Sequence, residues 1–269
     1  MATLMIGYDV EAHGNPAVTR AFLDAAFALH TELNAPCTLF LLGKVVEQNA
    51  EQLEPFVGHP LFDLQQHTYS HKLFKTVCME DDSGKVTVYR GASLAEVEED
   101  VARGRDAMIR LLGVDPIGVC GPYNYYRGLS DRPDILEVLH RHGIRFLRTY
   151  GRNERDYQPT PFSVQPFWYA PQGFPDMLEL PIQGYQDYYL RWMVGWDDIH
   201  LYIQRLMRHV RAVAQRNLAW SYCQHDGSNR GDPQMTIIRA LIGEARNLGM
   251  DVLSHRQFYD RALVSRQFA

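Results

Sequence analysis

Three short segments of the chain hold residue types that can bind a metal ion and move protons. His67-Thr68-Tyr69-Ser70-His71 sets two histidines four positions apart. That spacing lets both imidazoles face one cation, on a helical turn or on the curl after a strand. Asp9-Val10-Glu11 sets two carboxylates on either side of an apolar residue. On an extended chain both point the same way, so one can hold a cation while the other takes a proton. Gln224-His225-Asp226-Gly227 puts a third histidine where an apolar run gives way to a loop. Each segment alone has a plainer reading, as surface histidines, a strand-end acid or a structural loop histidine. Together they say more, because each falls at the C-terminal end of an expected strand.

The elements that must position them alternate along the chain. Strands are expected at 4–10, 37–42, 61–66, 117–120, 144–147, 177–182, 218–223 and 250–253. Helices are expected at 16–33, from Ser93 onward with a capping box to Glu96, at 134–142 closed by Gly143, at 199–216 and at 233–248. A hairpin-like excursion covers 80–89 and a Pro- and aromatic-rich loop covers 158–175. Alternation of this kind implies parallel pairing, and seven or eight such units fit a closed or nearly closed barrel better than an open sheet. In a parallel barrel every strand C-terminus opens on one face, where Asp9, Glu11, His67, His71 and His225 would meet. Two imidazoles and a carboxylate would leave a cation one open position for water, and the remaining acid and histidine would serve as base and acid.

Composition narrows the possibilities. A net charge of −5 and an isoelectric point near 6.1 argue against a nucleic-acid binder. The four cysteines, at 37, 78, 120 and 223, show no CxxC pair and read as free thiols of a reducing compartment. No basic leader precedes the first apolar run, and no stretch approaches the ~20 residues of a membrane span. The expectation is a cytoplasmic protein with one domain over residues 1–269.

The order Asp-x-Glu, His-Thr-x-Ser-His, Gly-Pro-Tyr and a late strand ending in His resembles the polysaccharide deacetylases of carbohydrate esterase family 4, the NodB-homology fold. The resemblance runs from about residue 4 to residue 255. It implies a single-domain distorted (β/α) barrel with about seven parallel strands. It also implies hydrolysis of an N-acyl group, acetyl above all, from an amino sugar, with one divalent metal, Zn²⁺ first among candidates. In its terms Asp9 is the base, Glu11, His67 and His71 hold the metal, and His225 is the general acid. The backbone N–H of Tyr123 would receive the oxyanion. The expected partner is a carbohydrate, either an N-acetylated sugar or a precursor of a surface polysaccharide such as O-antigen. Phe162 to Phe174, with Tyr185, Tyr188, Tyr189 and Trp192, offers aromatic surface for stacking sugar rings.

The chain departs from the family pattern at Cys120-Gly121-Pro122-Tyr123, where an Arg usually takes the place of Cys120. Arg127 and Arg148 are the candidates to replace it in space. No clear counterpart exists for the acid that supports the family's late histidine, although Asp226 sits beside His225. Two other readings stand beside the deacetylase: an allantoinase- or imidase-like C–N hydrolase on the same fold, and a catalytically weak sugar-binding protein.

Overall fold

The first strand, β1 (Thr3–Val10), is buried along its whole length, because it has neighbours on both edges and packing on both faces. After it come α1 (Pro16–Leu33), β2 (Cys37–Leu41), α2 (Gly43–Leu53) and β3 (Phe62–Gln66). An antiparallel hairpin follows, β4 (Val77–Glu80) with β5 (Val86–Tyr89), and then α3 (Leu94–Leu112). The middle of the chain forms β6 (Gly118–Tyr126), α4 (Pro133–Arg141), β7 (Phe146–Arg152), β8 (Phe167–Tyr169) and β9 (Phe174–Glu179). The last part forms α5 (Asp187–Val194), α6 (Ile199–Gln215), β10 (Ala219–His225), α7 (Thr236–Asn247), β11 (Asp251–Leu253) and α8 (His255–Gln267). This computed structural model describes residues 1–267, so the last two positions of the expected domain lie outside the described residues.

Seven strands form a parallel series in the order β10-β1-β2-β3-β6-β7-β9, in keeping with the about seven that the family resemblance implied. An isolated parallel bridge between Ile182 and Ser221 carries the chain after β9 back against β10. β11 pairs with Thr3–Met5 of β1, and β8 adds an antiparallel strand beside β9. One joint is thin: β3 and β6 share the single register pair Gln66–Val119. There side chains take over, as the Gly118 N–H donates to Gln65 Oε1 at 2.6 Å.

The sequence expectations missed α2, α5 and α8. α8 has a short apolar stripe, Phe258, Tyr259, Ala262 and Leu263, which packs against Met5, Phe40, Phe146 and Leu178 from four different strands. Its pattern makes sense only once those strands are assembled. The stretch 158–175 is not all loop, since it contains β8 and the start of β9. The helix expected at 233–248 starts at Thr236, where Asp232 accepts the N–H groups of Thr236 and Ile237 at 2.9 and 2.8 Å. Among the described residues no helix is long and apolar enough to cross a membrane.

Between α1 and β1 lies a buried histidine with both ring nitrogens engaged. His30 Nδ1 donates to the Ala35 carbonyl at 2.7 Å, so Nε2 accepts from the Tyr8 hydroxyl at 2.8 Å. Burial pulls its pKa down to about 4. The unfolded imidazole takes a proton below about pH 6.5, the folded one only below about 4, so His30 stabilises the fold above that window and the contribution is lost as pH falls through it. Over the window the loss should reach about 3 kcal/mol. Urea unfolding between pH 7 and pH 4 should therefore show a shallower fall in stability for His30→Gln than for the wild type. Equal slopes would remove His30 from the acid response.

Candidate functional site

The HTYSH segment follows β3 as a tight curl, and neighbouring helices hold it. The N–H groups of Gly43 and Lys44, at the start of α2, donate to the Thr68 and Tyr69 carbonyls at 2.9 and 3.1 Å. Asp100 of α3 accepts from the Ser70 hydroxyl at 2.6 Å and the Ser70 N–H at 3.1 Å. Thr68 and His71 take positive φ values of 62° and 67°, and Thr68 Oγ1 accepts the His71 N–H at 3.2 Å. The helix approaches so closely that a Cβ on Gly104 would lie 2.9 Å from the Thr68 carbonyl carbon. Thr and Ser in the motif thus fix a strained turn that aims both histidines at one point. Sequence reasoning missed Asp100, and its place on α3, 29 residues after His71 and beyond the hairpin, gives no local signal.

Glu11, His67 and His71 converge. Glu11 Oε2 lies 3.1 Å from His67 Nε2 and 2.9 Å from His71 Nε2. His67 Nδ1 donates to the Cys120 carbonyl at 2.9 Å, so the neutral ring presents an unprotonated Nε2 to the carboxylate. Two acceptors then face each other, an arrangement that a cation between them relieves. This donor set fits a divalent metal. Burial acts to raise the Glu11 carboxyl, yet the charge of His225 and the neighbouring imidazoles of His67 and His71 hold it well below the usual range.

Asp9 sits deeper, 2% exposed, in an ion pair with Arg148 of β7. Of the two arginines considered for the place of the missing one, Arg148 is the one paired with Asp9. Its Nη2 also donates to Cys120 Sγ at 3.2 Å, and the guanidinium lies 4.3 Å over the Phe40 ring. The thiols of Cys120 and Cys223 each point to Asp9 Oδ2 at 3.6 Å, and burial pushes both pKa values up, so they stay neutral donors. Glycine at position 7 makes room, since a Cβ there would meet His255, Arg148 and Phe40 at 2.9 to 3.1 Å.

His225 closes the group, with Nε2 3.8 Å from Asp9 Oδ2 and 3.9 Å from Glu11 Oε1. Its support is Asp187 at the start of α5, not the neighbouring Asp226. Asp187 accepts from His225 Nδ1 and from the His225 N–H, both at 2.7 Å. Asp226 instead accepts from Thr19 Oγ1 at 2.8 Å and the Ala12 N–H at 3.1 Å, tying β10 to the loop after β1. Burial acts to lower the His225 pKa, but the charges of Asp187 and Glu11 outweigh it and bring it up to about 9. Tyr123, in β6 with φ 65°, lines the same cavity of about 260 Å³ together with Asp9, Glu11, His67, His71 and His225. Of the expected stacking surface, Tyr188 and Tyr189 line the cavity, while Phe162 packs against Trp220 at 5.4 Å between ring centres.

The chain shares its family and its fold with known proteins. The family model described as polysaccharide deacetylase matches residues 4–147, more than half of the chain. No curated protein matches the chain. Among solved structures it resembles one described as a polysaccharide deacetylase from Mycobacterium smegmatis, with a TM-score of 0.71, 16% identity, and 98% and 91% of the two chains covered. It resembles the Puue allantoinase with a TM-score of 0.64, 14% identity and coverage of 94% and 86%. A family 4 pseudoenzyme from Bacillus anthracis gives 0.59, 12% identity and coverage of 96% and 66%. At these identities the likeness speaks for the fold.

Removing Arg148 would leave a buried carboxylate without its counter-charge, at a cost of about 3–5 kcal/mol. Arg148→Leu should lower the urea midpoint accordingly, and adding Asp9→Asn should recover a large part of the loss. Additive losses in the double variant would show that the two side chains do not depend on each other.

Proposed function

Because the chain belongs to the polysaccharide deacetylase family, we propose that it is a metal-dependent hydrolase that removes an N-acetyl group from an amino sugar. The observation that carries this reading is the convergence of Glu11, His67 and His71 beside a separately held acid and a separately held histidine. Glu11, His67 and His71 would hold one divalent cation, and two imidazoles with a carboxylate suit zinc. When bound, the ion supplies a Lewis acid that polarises the acyl carbonyl.

The chain's own residues do the rest. Asp9 accepts the proton of the attacking water, and Arg148 pairs with that carboxylate and orients it between contacts with two neutral thiols. Tyr123 offers its backbone N–H to the developing oxyanion. His225 enters the reaction protonated at neutral pH and gives its proton to the departing amine. Asp187 fixes which nitrogen faces the cavity, since Nδ1 is spent on its carboxylate. The substrate we assign is a precursor of a surface polysaccharide such as O-antigen, met inside the cell, where the exposed free Cys78 can persist.

Metal analysis and turnover test these assignments separately. His71→Ala should cut bound metal from about one equivalent to a small fraction while the circular dichroism spectrum stays unchanged. Asp9→Asn should keep the metal and lose about 10²–10⁴-fold in kcat, and Asp187→Asn should lose rate by misorienting His225. The substrate panel sets N-acetylated sugars against ureides and cyclic imides. Full metal binding by His71→Ala would sink the ligand set, and hydrolysis confined to ureides would sink the substrate.

A further inference from the structure

Next to the catalytic cavity lies a second hollow of about 320 Å³ with a different lining: Tyr188, Tyr189, Trp192 and Trp196. Tyr188 and Tyr189 are walls of both. Among the described large apolar side chains Trp192 is, at 75%, more exposed than any but Met1, and Met193 and Trp196 beside it are 53% and 41% exposed. Single exposed apolar residues are ordinary, but an aromatic cluster at the mouth of a cavity is not.

The hollow is a built feature. α5 ends at Val194, and Gly195 at φ 91° turns the chain so that Trp196 comes back over the helix. The buried Arg191 holds that return, with Nη1 donating to the Trp196 carbonyl at 3.0 Å and its guanidinium 4.9 Å over the Tyr202 ring. Ring centres of Trp196 and Tyr188 lie 5.8 Å apart, and those of Tyr188 and His225 lie 4.7 Å apart. An unbroken aromatic file thus leads from His225 to the outer surface.

The lining says what the hollow accepts. A sugar subsite pairs a stacking face with donors and acceptors for hydroxyl groups. Here the tyrosine hydroxyls are turned elsewhere: Tyr189 donates to Met79 Sδ at 3.8 Å, and the Tyr188 oxygen lies against Gly227, where a Cβ would come within 2.5 Å of it. What remains is aromatic surface, suited to hydrocarbon. The exposed Asp197 and Asp198, next in sequence, oppose docking on an anionic bilayer.

We propose that this hollow binds the hydrocarbon portion of the substrate, so that the preferred substrate is amphiphilic, an N-acetylated amino sugar carried on a lipid or alkyl group. The inference rests on the reading of the adjoining cavity as a deacetylase site. Octyl and methyl glycosides of N-acetylglucosamine separate the two ideas, titrated by calorimetry below the micelle-forming concentration and assayed for acetate release. Each buried methylene contributes about fourfold in affinity, so the octyl compound should bind at least about tenfold more tightly. The Trp196→Ser variant should lose most of that preference and keep its binding and turnover of the methyl compound. Equal affinities in the wild type would overturn the proposal, whatever the turnover. Octyl preference without acetate release would support the hollow and overturn the deacetylase reading. Tryptophan-dependent cosedimentation with phosphatidylcholine vesicles lacking glycolipid would overturn the proposal in favour of a membrane surface.

Discussion

The ion pair between Asp9 and Arg148 is the constraint around which the interior is arranged. A guanidinium and a carboxylate taken out of water are costly unless their remaining donors and acceptors are met and nothing nearby competes for charge. The surroundings meet these demands in part, since Arg148 Nε and Nη1 are buried without a hydrogen-bond partner. The Phe40 ring covers one face of the guanidinium, and two uncharged thiols donate to the carboxylate. Beneath lies His255, held neutral first by burial and then by the charge of Arg148. It bonds to the Ser221 and Thr38 hydroxyls at 2.8 and 3.0 Å. Since His255 begins α8, the same contacts dock the final helix under the strands.

Two layers of the site follow from that placement. The inner layer is Arg148, dry and fixed, with Asp9 reaching from it to the cavity wall. The outer layer is Glu11, His67, His71 and His225, whose polar atoms reach the cavity. Asp9, near the end of β1, and Glu11, just past it, therefore live in different dielectric environments, although only Val10 separates them. The two carboxylates differ through their partners: Asp9 has a permanent cation from β7, whereas Glu11 has three imidazoles.

Sequence made the outer layer legible because its members sit at strand ends and in a short motif with strict spacing. The seven-strand parallel series was legible through the alternation of apolar runs with helical stripes. What stayed hidden depends on contacts across the fold. Asp187 lies in an aromatic run and meets His225 only because α5 packs against β10, whereas adjacency in sequence offered only Asp226. Asp100 anchors the HTYSH curl from the side of α3. Arg148 and Arg127 could not be ranked without knowing which strand neighbours β6, and β7 settles it.

The register of β6 against β7 sets Cys120 directly opposite Arg148. Neighbouring strands lie about 4.8 Å apart, less than the reach of an extended arginine, so a guanidinium planted on either strand can arrive at the same spot beside Asp9. That spot has room for one. A long side chain at 120 would collide with the arginine already there, and a short one at 148 would leave the carboxylate bare. The two positions thus form an epistatic pair, in which a change at one is tolerated only with its counterpart. Descent could pass an arginine from strand to strand by such an exchange, and the spatial arrangement would survive while the linear motif lost its signature.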